Sequence, residues 1–188
     1  VTSFRTEEEL ATWLSSTPRP PADLGVVRLL VARGPGKGDR AAPAAVVLRP
    51  GAPLPGDRWS PARDPGADSQ LTAMEWAFAA FVAGDDSPAL AGDNLLVDLD
   101  LSAANLPPGT TLRVGAAICE VTPKPHTGCR SFAARFGVDA LAFLSAKKPL
   151  RLRGLHLRVR QAGRVAVGDP IAVLARSQPS LPFGGGGG

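Results

Sequence analysis

The sequence predicts a mainly β, barrel-like domain carrying a few short helices. Three observations lead there. Pro (19) and Gly (21) are plentiful and spread along the chain, which gives many turns and works against a helical bundle. Short apolar runs rich in Val, Leu and Ile recur between those turns, each long enough for a strand and too short for a core helix. Leu155, Leu157 and Val159 alternate with His156, Arg158 and Arg160, the period of two that gives a strand one apolar and one polar face. A chain of 188 residues, 44% hydrophobic and 20% charged, suits a single domain with its own core. The expected domain spans residues 1–183, with a core over about 25–175.

Each element follows from local chemistry. Thr6, then Glu9 just before Leu10, Trp13 and Leu14, is a capping box, so residues 6–16 are expected to form a helix ending in the Pro-rich stretch Thr17–Pro21. Gly25–Ala32 reads as a buried strand, Arg33–Arg40 as a loop, and Ala44–Leu48 as the return strand. Pro50–Asp68 is irregular and contains GDRW. Met74–Val82 reads as a helix stopped at Gly84, and Asn94–Leu99 as a strand. Pro107–Thr110 is a turn, and residues 111–114 and 117–122 form a hairpin about Gly115 and Ala116. Pro123–Cys129 is a constrained loop entering the helical stretch Ser131–Ser145, interrupted at Gly137. Residues 163–174 supply a last short hairpin. The chain opens on Val1, and Gly184–Gly188 cannot pack; both ends are read as trimmed or appended, and the tail is left out of the fold.

Charge and composition narrow the function. The net charge of +4 is mild and no Lys/Arg block carries it, so it suits a small anionic ligand at least as well as a nucleic acid. The lack of Tyr argues further against a base-stacking surface. No apolar run reaches the length of a membrane span, and two cysteines make no disulfide framework, so the expectation is a cytoplasmic protein. There is no phosphate loop, dinucleotide fingerprint, nucleophile-elbow serine or zinc-spaced cluster.

Four fragments together resemble the MOSC family, the domain named after the C-terminal part of molybdenum cofactor sulfurases. They are GDRW (Gly56–Trp59), SQLT (Ser69–Thr72), the long stretch Gly92–Cys129, and Arg151–Ile171. The long stretch is the specific one, with strand, PPGT turn, hairpin and cysteine in the family's order. The resemblance implies a barrel-like fold and a functional cysteine that falls on Cys129. It implies either a persulfide-bearing sulfur carrier served by a donor such as a cysteine desulfurase, or a molybdenum ligand in a molybdenum-cofactor protein. In the second case a reductase of N-hydroxylated compounds needs an outside electron-transfer partner, since the chain shows no flavin, haem or iron–sulfur motif. Cofactor-binding relatives carry a basic residue two positions ahead of Asn94. Gly92 stands there, which removes one clamp on an anionic pterin phosphate.

The residues themselves support this chemistry and also allow a plainer reading. Lys124, His126 and Arg130 flank Cys129 at a helix start, and positive charge and free amides both favour thiolate. A pKa lowered by about two units would favour the ligating anion by about 2.7 kcal/mol. Cys129 is thus the candidate nucleophile or molybdenum ligand and His126 the residue that orients or deprotonates it. Equally, a free cysteine can fill space at a loop–helix junction, and a loop histidine can fix a turn. Arg151, Arg153 and Arg158 offer an anion-binding wall, or a solvated strand face. Arg58, Gln70, Thr72 and Asn94 are candidates for the pocket lining, or for holding loops. Cys119 shares a strand face with Ala117 and Val121 and is expected in the core. The rival class is a non-catalytic module that binds a small ligand or a partner on the same fold.

Overall fold

The computed structural model describes residues 4–36 and 38–177; the Gly184–Gly188 tail lies outside them. Helix α1 (Glu7–Ser16) begins as its capping box dictates. Thr6 Oγ1 accepts from the Glu9 amide at 3.3 Å, and Glu9 accepts from the Thr6 amide at 2.8 Å. Thr6→Ala removes one of these bonds, and an urea unfolding curve should show a loss of about 1 kcal/mol.

Seven strands close into a barrel, in the order β1 (Leu24–Leu30), β11 (Pro170–Ala175), β7 (Thr111–Val114), β8 (Ala117–Val121), β9 (Leu155–Gln161), β5 (Leu71–Glu75) and β6 (Leu95–Asp98). All neighbours are antiparallel except β5 and β6. Two small ribbons sit outside it: β2 (Ala32–Arg33) pairs with β3 (Arg40–Ala41), and β4 (Ala45–Leu48) with β10 (Gly163–Ala166). The remaining helices are α2 (Trp76–Ala83), α3 (Arg130–Phe136) and α4 (Val138–Ala146). Gly137 separates the last two with φ +91°, a conformation open to glycine.

Apolar residues divide into two cores by strand alternation. Ala73, Leu95, Val97, Cys119, Leu155 and Leu157 point into the barrel. Met74 and Leu96, one step along their strands, point outward and pack under the helices against Phe78, Phe132, Phe136 and Phe143. Every residue of β5 is therefore buried.

Three expected elements differ. Leu71–Glu75 is a strand and the helix starts only at Trp76, because both faces of β5 are covered and its apolar run has no alternation to mark it. Ala45–Leu48 does not return along β1. It pairs with β10 instead, so residues 163–174 form a turn between diverging strands, where Asp169 caps the Ala166 amide at 2.8 Å. No helix among the described residues is long and apolar enough to cross a membrane.

Candidate functional site

One row of residues crosses four strands at one end of the barrel. Parallel pairing of β5 and β6 puts Thr72 beside Asn94, antiparallel pairing puts Thr72 opposite His156, and the Thr122 amide donates to the His156 carbonyl at 3.0 Å. Asn94 is fully buried and uses its whole amide. Nδ2 donates to the Val31 carbonyl at 3.1 Å and to Asp57 at 2.9 Å, while Oδ1 accepts from the Thr72 amide at 3.1 Å. Asp57 in turn accepts from Arg33 Nε, Nη2 and the Arg33 amide, each at 2.8 Å, and from the Trp59 amide at 2.9 Å. GDRW is thus tied down through its aspartate, and Arg58 is left exposed.

Beside this row lies a buried carboxylate, Asp93. His126 Nε2 lies 2.7 Å from Oδ1, and Arg153 Nη1 donates to Oδ2. Burial alone would raise the Asp93 pKa. The charges of Arg153 and His126, with their hydrogen bonds, reverse this and hold it far below the usual carboxylate range. An ionised carboxylate only accepts, so Nε2 of His126 carries a proton and donates to Oδ1. The His126 ring sits 4.6 Å from that of His156, whose Nδ1 donates to the Lys124 carbonyl at 3.1 Å. Burial and then the His126 charge press the His156 pKa down to about 4.

Cys129 closes the loop that follows β8 and caps α3 with extended backbone. Its thiol is exposed. Partial burial acts to raise its pKa, but the Phe132 and Ser131 amides and the Arg153 charge outweigh that and lower it. The amides face the sulfur without closing a full capping hydrogen bond. The foremost cation acting on the thiol is therefore Arg153, a residue 24 positions away in sequence, ahead of its sequence neighbours Lys124 and Arg130. Cys119 behaves as expected of a core residue, buried with its thiol pushed up to about 12.

Two cavities flank the loop. One of about 250 Å³ is bordered by Lys124, His126, Gly128, Arg151 and Arg153 among others. The other, of about 370 Å³, has Arg33, Arg58, Arg63, Lys124, His126 and His156 in its wall, with Thr72 at its floor. Lys124 and His126 border both. Cys129 borders neither, though its neighbour Gly128 lines the first.

Four expected pocket residues are used elsewhere. Gln70 is buried, its amide donating to the Arg49 and Ala52 carbonyls at 2.7 Å and accepting from the Val159 amide at 2.8 Å, so it is a loop clamp. Asn94 is the hub described above. Arg158 is paired with Glu120 at 3.0 Å and Asp68 at 3.3 Å on the outer barrel face. Arg130 borders a separate hollow with Gly38, Ala134 and Arg135. Arg58, Thr72, Lys124, His126, Arg151 and Arg153 do meet at the two cavities. Arg33, Arg63 and His156 join them in the wall of the larger cavity, and Asp93 lies buried behind, holding His126 and Arg153. The sequence signals are the alternation over residues 155–160 for His156 and a polar position just before an apolar strand for Asp93; Arg33 and Arg63 carry none.

Comparison with known proteins agrees with this architecture. Among solved structures, the YuaD protein of Bacillus subtilis superposes with a TM-score of 0.60 at 16% identity, covering 80% of this chain and 95% of that one. YiiM of Escherichia coli gives 0.55 at 21% identity, covering 81% and 72%. YiiM of Geobacillus stearothermophilus gives 0.56 at 19% identity, covering 87% and 79%. These likenesses speak to the fold. Comparison with curated proteins gives no match. The MOSC domain model matches residues 68–172, over half of the chain and all of the segment from Asp68 through β5 to Ile171 of β11. With its barrel, its strand order and that match, the chain belongs to the MOSC domain family.

Proposed function

We propose that this chain holds a molybdenum cofactor, with the Cys129 thiolate as the protein ligand to molybdenum and the cationic hollow as the seat of the cofactor's anionic end. The observation that carries the reading is an exposed, thiolate-favouring sulfur beside a loop whose Lys124 and His126 wall a hollow rich in arginine. The donor set fits. Arg58, Arg63 and Lys124 supply N–H donors and positive charge for a phosphate. Among the described residues no group of three or more His, Cys, Asp and Glu could hold a bare ion, so a metal at Cys129 has to arrive with ligands of its own. When bound, such a cofactor supplies two-electron reduction of a small substrate, with electrons from a separate partner protein. In this reading Asp93 holds the His126 ring through its Nε2–H and keeps it in the wall shared by the two cavities.

The exposure of the sulfur favours a second reading, persulfide carriage. The Cys129 thiolate attacks the outer sulfur of a donor persulfide, the donor's S–S bond breaks and the donor thiolate leaves, with Cys129 holding the new S–S bond. A cysteine desulfurase is a donor of this class.

Metal analysis and intact mass decide. Protein made in a host that synthesises the cofactor is expected to retain molybdenum, and Cys129→Ser to lose at least about tenfold of it with an unchanged unfolding midpoint. Persulfide carriage instead gives an adduct of about 32 Da that dithiothreitol removes and Cys129→Ser lacks. Protein that holds neither metal nor adduct, with cofactor and donor supplied, sinks both readings in favour of a non-catalytic binding module.

A further inference from the structure

The reading above draws on the larger hollow and leaves the smaller cavity, of about 250 Å³, without a role. Its wall has two kinds of surface. Pro123 and Pro125 of the loop, Leu144 of α4, and Leu152 and Leu155 around the start of β9 are apolar. Lys124, Lys148, Arg151 and Arg153 are cationic, and no Asp or Glu among the described residues borders the cavity. Most of that charge has no counter-ion. Arg153 is held by Asp93. Lys124 donates to a neutral hydroxyl, Ser69 Oγ, at 3.0 Å, and Arg151 Nη1 to the Leu106 carbonyl at 2.6 Å. Neither of these, nor Lys148, pairs with a carboxylate among the described residues. Arg151 is partly buried, which disfavours its cation with no anion opposing the effect.

The backbone that brings Arg151 to this wall is strained. Arg151 adopts φ +47° and ψ 43°, the left-handed region, which costs a residue with a Cβ roughly 1–2 kcal/mol. Its amide donates to the Lys148 carbonyl at 3.0 Å, and its carbonyl accepts from the Gly154 amide at 2.6 Å. Gly154 has φ +97°, and a Cβ there would lie 1.9 Å from the Ala73 carbonyl oxygen, so the turn is pressed against β5. Glycine or asparagine suits the Arg151 position better. An arginine kept there, bordering a cavity, is the kind of local strain that accompanies binding sites.

We propose that this cavity binds a small organic carboxylate with a compact apolar body, Arg151 and Lys148 meeting the carboxylate while the proline and leucine side chains enclose the body. The size agrees. An apolar cavity of roughly 150 Å³ takes up benzene, so about 250 Å³ holds one ring and a carboxylate. A guanidinium fork matches two carboxylate oxygens, and the apolar wall rewards a ligand that has carbon to bury. Gly128 borders the same cavity, which places the ligand beside the residue preceding Cys129. Binding needs the polypeptide alone and does not rest on a metal or a persulfide at that sulfur.

Titration calorimetry of the full chain with benzoate tests this. Wild type is expected to bind benzoate, and to bind benzamide and acetate at least about tenfold more weakly, since one lacks the charge and the other the apolar body. Arg151→Gly accepts φ +47° without strain and removes the guanidinium. It should weaken benzoate binding about tenfold, with circular dichroism confirming the fold. Lys148→Gln, an exposed change, should weaken it about threefold, and Arg164→Gln, on the exposed side of β10, should leave it unchanged. Cys129→Ser should bind benzoate as wild type does, whatever its metal or persulfide content, which keeps this result separate from the reading above. No benzoate binding by wild type, undiminished binding by Arg151→Gly, or an equal loss in Arg164→Gln or Cys129→Ser overturns the proposal. Equal binding of benzamide overturns it in favour of a neutral apolar pocket. Equal binding of acetate, or tighter binding of inorganic phosphate, overturns it in favour of a plain oxyanion site.

Discussion

Asp93→Ala is expected to destabilise the protein by about 3–5 kcal/mol, more than any other change of one polar side chain in the site. The carboxylate is fully buried and carries two partners, Arg153 and His126, both themselves largely buried. Removing it leaves a guanidinium and an imidazole N–H facing each other's charge with no acceptor. Arg153 already has a buried Nε without a partner among the described residues and stacks 5.3 Å over Phe132, so it has little freedom to find water. Asp93→Asn keeps the shape and one acceptor oxygen and should lose less, roughly half. Urea denaturation at pH 7 measures both. The change should extend to the thiol, because Arg153 is also the main cation acting on Cys129. With Arg153 held in place and its anion gone, alkylation of the thiol should shift to lower pH in whichever variant still folds. Equal stability of Asp93→Ala and wild type would mean that the Arg153–Asp93–His126 triad contributes nothing net. The acid dependence has a definite sign. A carboxylate whose folded pKa lies far below its unfolded value gives its full contribution above about pH 5 and loses it progressively as the pH falls from there. Asp93 therefore adds no slope between pH 7 and about pH 5.

Much of the barrel is legible in the sequence because alternation is visible wherever one strand face meets solvent. β7, β8 and β9 all show it, and the turn at Gly115 and the capping box at Thr6 carry their own local signatures. β5 is illegible for the converse reason: both of its faces are buried, one inside the barrel and one under the helices, so its residues run on into α2 without a break in polarity. Sheet partners are less legible still, since nothing local in residues 163–175 says that β10 leaves for β4 while β11 closes the barrel. In the candidate site, Cys129 and His126 stand out as rare residue types in a constrained loop. Gln70 and Asn94 carry the same polar chemistry as ligand-binding residues, yet they satisfy backbone groups. Whether an amide faces a cavity or a carbonyl is decided by tertiary packing. Asp93 acts on Arg153 across 60 positions, and no spacing rule reaches that far.

His156 supplies the pH dependence that Asp93 does not. Its folded pKa, pressed down to about 4 by burial and by the His126 charge, lies below the unfolded value near 6.5. The hydrogen bond to the Lys124 carbonyl and the Asp93 charge favour its cation, and the neutral ring wins because burial and the His126 charge outweigh them. Between pH 6.5 and pH 4 the unfolded chain binds a proton that the folded one refuses. Stability from this residue is thus complete above pH 6.5 and falls by roughly 3 kcal/mol as the pH drops to 4. Glu75 acts in the opposite sense over part of that range, since burial pushes its carboxyl up to about 7 despite the Arg19 guanidinium 2.7 Å away. The two are separated by comparing wild type with His156→Gln, because Glu75 contributes equally to both. The stability difference between them should shrink by about 3 kcal/mol from pH 7 to pH 4, and a difference that stays constant would show that the ring does not titrate with folding. The same argument bears on the site. A neutral His156 in the wall of the larger cavity adds no positive charge there at pH 7. Phosphate binding in the hollow should accordingly show no inflection from this histidine between about pH 5 and 8.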